Sequence, residues 1–94
     1  MKNFLLHLNV PAVVGEEVSE WLLLAAEGFT SFLVRGHSKK RMPENASEQV
    51  AGFETRLLFI VETADPRALI SGFRQAFHCD HRVWIVPLIP ESEI

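Results

Sequence analysis

Apolar residues in this chain recur at two alternating periods, and their order constrains the fold more than any composition figure does. Phe4, Leu6, Leu8 and Val10 alternate with Asn3, Leu5, His7 and Asn9. A period of two puts alternate side chains on opposite faces, so this is a strand with one strongly apolar face, and Pro11 ends it. Glu16 and Glu17 stand where acids favour a helix N-terminus. Val18, Trp21, Leu22 and Ala25 follow at three- and four-residue spacing, which predicts an amphipathic helix over 16–27, stopped by Gly28. Residues 29–35 are rich in β-branched and aromatic side chains and read as a second strand, with Thr30, Phe32 and Val34 on one face.

The rhythm breaks at Gly36. The 17 residues from Gly36 to Gly52 carry almost no large apolar side chain, far longer than the usual hairpin loop of about 2–5 residues. A third strand follows, with Phe53, Leu57, Phe59 and Val61 on one side and Leu58 and Ile60 on the other. Asp65-Pro66 is a strong helix start, an acceptor at the cap followed by proline at the first helical position. Leu69, Phe73, Ala76 and Phe77 form the buried stripe of that helix. His78 to His81 is the turn out, residues 83–88 form a fourth strand, and an acidic tail follows Pro90.

The order βαββαβ in 94 residues predicts a single α+β domain of ferredoxin-like type. Right-handed crossovers place both helices on one face of a four-stranded antiparallel sheet, with a long loop between strands two and three. The other face is expected to show Leu5, Leu33, Leu58 and Ile60 beside His7, Arg35 and Arg56, and the fourth strand is apolar on both sides, with Trp84, Val86 and Leu88 against Val83 and Ile85. So large an apolar patch marks an interface, and a homo-oligomer packed through the open face is the expectation.

Charge and cysteine content narrow the function. The net charge is −3, and nothing offers a broad phosphate-neutralising surface, so nucleic acid is not an expected partner. The longest apolar runs fall well short of the ~20 residues of a membrane span. Lys2 and Phe4 to Leu6 begin like a signal peptide, but His7, Asn9 and Pro11 interrupt the run and no small-residue cleavage site follows. Cys79 is the single cysteine, which forms no intrachain disulfide and suits a reducing compartment, so a cytoplasmic location is expected.

Two constellations could carry chemistry. His78, Cys79, Asp80 and His81 supply imidazole, thiolate and carboxylate donors within four residues, and His37 opens the long loop. If two donors from the turn met His37, within a chain or across an interface, Zn or Cu would fit better than Mg or Ca. The alternative is an ordinary polar turn. Lys39-Lys40-Arg41 is a cationic run able to hold phosphate or an acidic surface, or simply a solvated loop. Asn45-Ala46-Ser47 is a glycosylation sequon by chance. No strained nucleophile turn or paired carboxylates can be read, so no enzyme activity is expected. A small enzyme of the dimeric α+β barrel monooxygenase type, whose apolar sites leave weak signatures, stays as an alternative, as does an adaptor without ligand.

Three stretches resemble the PII family of trimeric signalling proteins, which shares the ferredoxin-like fold with the CutA proteins. Gly28-Phe29-Thr30 through Val34-Arg35-Gly36 is similar to the PII second strand. The polar excursion from Gly36 to Gly52 sits where PII carries its long T-loop, and Arg82 to Leu88 is similar to the PII fourth strand. Small PII-like proteins found beside heavy-metal efflux pumps are the nearest in character. The resemblance implies a non-enzymatic cytoplasmic regulator, a trimer with clefts between subunits, a ligand site drawn from Arg35, Gly36, Lys39, Asp80 and Arg82, and a membrane metal-efflux pump as partner. It also implies what is missing. PII proteins cradle phosphate on a Gly-Asp-Gly-Lys turn, whereas this chain has Cys79-Asp80-His81-Arg82. Side chains replace both glycines, which obstructs close backbone approach. Adenine nucleotide is therefore expected to bind weakly or not at all. The sequence has no tyrosine, so tyrosine uridylylation is excluded.

Overall fold

The computed structural model describes residues 3–37, 53–89 and 91–94. Strand β1 (Phe4–Pro11) leads through a short 3-10 turn at Ala12–Val14 into helix α1 (Gly15–Ala25). Strands β2 (Thr30–His37) and β3 (Phe53–Thr63) follow, then helix α2 (Pro66–Ala76) and strand β4 (Arg82–Pro87). The strands form one antiparallel sheet in the order β2-β3-β1-β4. This is the expected ferredoxin-like α+β arrangement, with the first and third strands in the middle. Among the described residues no helix is long and apolar enough to cross a membrane.

The core follows from the period-two pattern of the two central strands. Leu6 pairs with Val61, Leu8 with Phe59 and Val10 with Leu57, so their side chains share one face. Val18 and Leu22 of α1 and Ile70 and Phe73 of α2 cover that face, and all but Ile70 are at most 1% exposed. Each fully buried side chain of this size contributes about 1.5–3 kcal/mol. Trp21 joins the same layer, edge-on to Phe73 at 6.0 Å and to Phe77 at 6.1 Å, as the helix stripe implied.

Helix α2 begins where the sequence says it should. The Asp65 side chain accepts a hydrogen bond from the Ala68 amide at 3.1 Å, and Pro66 occupies the first helical position. Helix α1 ends two residues early, because Ala26 is already extended (φ −134°, ψ 165°) and Gly28 belongs to the connection into β2.

The register corrects one expectation. Opposed residues of an antiparallel pair point to the same face. Leu33 pairs with Leu57 and Arg35 with Thr55, so Leu33 and Arg35 lie on the helix side. The open face takes Thr30, Phe32 and Val34 instead, opposite Ile60, Leu58 and Arg56. Both faces of β2 carry apolar side chains and the strand runs along the sheet edge, where Leu33 is 71% and Phe32 49% exposed. Alternation fixes which residues share a face, but only pairing decides which face meets the helices.

Candidate functional site

One charged side chain among the described residues is buried, and it lies in the middle of the sheet. Arg56 stands between Val34 of β2 and Pro11 of β1 on the open face, yet is only 1% exposed. A buried guanidinium must have its donors matched by acceptors. Its Nε donates to Asn9 Oδ1 and its Nη2 to the Asn9 carbonyl at 3.2 Å. Its Nη1 donates to Glu54 Oε2 and to Asp80 Oδ2, both at 3.0 Å. The acceptors come from the end of β1, the start of β3 and the turn before β4. Side-chain exposure is 2% for Arg56 but 34% for Glu54 and 62% for Asp80. The desolvation cost therefore falls on the cation, while both carboxylates stay partly hydrated.

Gly36 makes room for this cluster. A Cβ there would stand 2.5 Å from Arg56 Cδ and 3.3 Å from its Cγ. The glycine at the end of β2 is thus explained by packing against the arginine shank, whatever else it does.

The turn from Phe77 to His81 is held by its own contacts. Arg74 Nε donates to His81 Nε2 at 3.2 Å, so that nitrogen is the acceptor. Nδ1 then carries the proton and donates to the Cys79 carbonyl at 2.9 Å. The His81 ring also stands edge-on to Phe73, with centroids 5.1 Å apart. Cys79 packs against the core. Burial, and next the Asp80 carboxylate, push its thiol pKa up against the lowering pull of Arg56.

The expected metal set does not assemble within one chain. Among the described residues no group of three or more His, Cys, Asp or Glu is placed to hold an ion. His37 ends β2 at one sheet edge, while residues 78–81 precede β4 at the other. His81 uses both ring nitrogens, Asp80 is bound to Arg56, and His78 is exposed.

The expected ligand set is likewise divided. Arg35 lies on β2 and Arg82 on β4, the two outer strands, three strand spacings or roughly 14 Å apart. Gly36 and Asp80 both meet Arg56. Lys39, the rest of the cationic run and the 38–52 portion of the expected loop lie outside the described residues.

Arg56 itself was not singled out by pattern reading. A signal was there: a cation beside the run Leu57 to Val61, with Glu54 two residues before it and Asn9 on the neighbouring strand. Beyond the cluster the open face turns apolar. Trp84 is 50% and Val86 41% exposed. They border a shallow concavity of about 530 Å³ with His7, Asn9, Val34, Arg35 and Leu58, so Arg35 reaches this face from the sheet edge.

Residues 1–92 match the family described as Protein of unknown function (DUF3240). A crystal structure of a DUF3240 family protein from Shewanella baltica OS155 is similar, with a TM-score of 0.64 and 18% identity over 97% of this chain and 94% of that one. At that identity the likeness is one of fold. No curated protein matches the chain.

Proposed function

The chain belongs to the DUF3240 family, and we propose that it is a non-enzymatic, PII-like regulator that binds an anionic ligand between copies of itself. The observation that carries this reading is the division of the cations. Arg35 and Arg82 occupy opposite outer strands of one sheet, so a small anion bound by one chain meets only one of them. Arg35 borders the open-face concavity and Arg82 stands opposite Asn9 on that face, so a second copy packed on the open face can bring its Arg82 to the first copy's Arg35. The apolar open face of Phe32, Leu58, Ile60, Trp84 and Val86 supplies the surface for such packing, since patches of this kind mark contact sites.

Binding rather than catalysis is favoured because the charged groups at the centre are engaged with one another. Arg56 is ion-paired with both Glu54 and Asp80, and His81 is held by Arg74 and a carbonyl. The ligand proposed is an oxyanion rather than a metal ion, as the His and Cys donors are separated. A trimer, a cytoplasmic location and a metal-efflux pump as partner rest on the sequence resemblance.

The test is light scattering of the intact protein at micromolar concentration, followed by NMR titration with inorganic phosphate. The expected result is a mass near three chains, with saturable shifts at Arg35, Gly36 and Arg82 together. ATP should bind far more weakly than it does to a glycine-lined phosphate turn. A one-chain mass, or no phosphate-dependent shifts at these residues, overturns the proposal.

A further inference from the structure

We infer that the Arg56 guanidinium is a relay that ties the 79–82 turn to the strand ends flanking residues 38–52. A charge change at Asp80 is thereby felt at Glu54 and Gly36, on strands that do not pair with β4. The inference stands on the geometry of one chain and does not need the regulatory reading or an oligomer.

Strand order gives these regions no direct hydrogen-bonded ladder, since β2 and β4 lie on opposite edges with β3 and β1 between them. Arg56 bridges that gap. Its Nη1 is shared at 3.0 Å by Asp80, in the turn before β4, and by Glu54, at the start of β3. Glu54 is the register partner of Gly36. The shank passes so close to Gly36 that no Cβ fits beside Cδ. The guanidinium is anchored on a third side by the Asn9 side chain and carbonyl. A buried cation held at one nitrogen by two carboxylates cannot lose one of them without rebalancing toward the other. Any movement of its shank is passed to the Gly36 backbone by contact rather than through bulk solvent. The turn can receive such a signal because Asp80 is 62% exposed while its partner is not. A ligand cation, a partner's basic side chain or a change of charge at Asp80 can therefore compete for it from outside.

Amide hydrogen exchange by NMR on the full chain tests the relay, comparing wild type with Asp80→Asn, Glu54→Gln and, as a control, Arg67→Gln on the exposed start of α2. Asp80→Asn is expected to speed exchange of the slow amides at 34–37 and 54–56 roughly three- to tenfold. The effect is modest because a partly hydrated ion pair is worth less than a buried one. Amides of the central β1–β4 ladder and of α1 should change less than twofold. Glu54→Gln breaks the other arm at the same nitrogen, so it is expected to speed exchange at 80–82 as well. The control should do neither. Unchanged exchange at 34–37 in Asp80→Asn overturns the relay. So does a uniform acceleration of the whole sheet, which would mean global loss of stability, and so does an effect in one direction only. Loss of phosphate binding with the relay intact would instead count against the proposed function alone.

Discussion

At Gly36 the whole case for the arginine cluster can be put to one side chain. The glycine sits in a strand, where Gly normally weakens packing, and a Cβ added there would stand 2.5 Å from Cδ, the last methylene of an Arg56 side chain whose guanidinium is pinned by three residues. Gly36→Ala is therefore expected to destabilise the fold by about 1–3 kcal/mol through overpacking, read as a lower midpoint in urea. Gly28→Ala, with open space around the new Cβ, should cost much less. Cys79 offers a second test at the same scale. Its thiol pKa is raised, by burial first and by Asp80 second, so the neutral form prevails at physiological pH and alkylation by iodoacetamide at pH 8 should be slower than for a free cysteine. Asp80→Asn removes a nearby negative charge and leaves Arg56, so it should speed that alkylation. The folded state holds this proton more tightly than the unfolded chain. The stabilising contribution is present below the unfolded thiol pKa, ordinarily about 8.5, and is lost as pH rises through the raised folded value.

Helix α2 and strand β2 mark the two extremes of what was legible. The start of α2 is encoded locally, in an Asp-Pro pair and the Thr63 hydroxyl that accepts from the Asp65 amide at 3.1 Å. Asp65→Ala should cost about 1 kcal/mol through loss of the cap, visible as a lower thermal midpoint and faster exchange in the first turn of α2. Local rules suffice there because all the partners lie within a few residues. Strand β2 needed more. Its two faces are similarly apolar, so alternation placed Leu33 and Arg35 together correctly but on the wrong side of the sheet, and pairing with Leu57 and Thr55 decides it. The Arg56 cluster was least legible of all. Its partners Asn9 and Asp80 are 47 and 24 residues away in sequence, and no local spacing rule brings them to one guanidinium. The His78–His81 run is the reverse case, in which donors adjacent in sequence form no three-donor group among the described residues of one chain. The His81 ring is engaged by Arg74 and the Cys79 carbonyl, and Asp80 by Arg56.

The molecule as a whole presents two large sets of exposed apolar side chains, and they make different claims. Leu24 is 91% and Leu23 65% exposed on the outer side of α1, and Val13 is 85% exposed just before it. Glu16, Glu17 and Glu20 share this helix, and a few exposed apolar residues need no partner. On the open sheet face the register stacks Phe32 opposite Leu58, Thr30 opposite Ile60, His7 opposite Trp84 and Leu5 opposite Val86, so all four strands carry apolar side chains, with Asn9, His7 and Glu62 set between them where β1 meets β3. A self-association that depends on this face should be abolished by Leu58→Asp, because the new carboxylate would be buried unpaired at the centre of the contact. Leu24→Asp, though it changes the more exposed leucine, should leave the assembly mass unchanged. Leu58 is half-buried and flanked by other strands rather than inside the helix-covered core, so both variants should keep the wild-type circular dichroism spectrum. Light scattering then separates the cases. Dissociation by Leu58→Asp alone assigns the contact to the sheet face, whereas dissociation by Leu24→Asp alone moves it to α1 and leaves the meeting of Arg35 and Arg82 across copies without a physical basis.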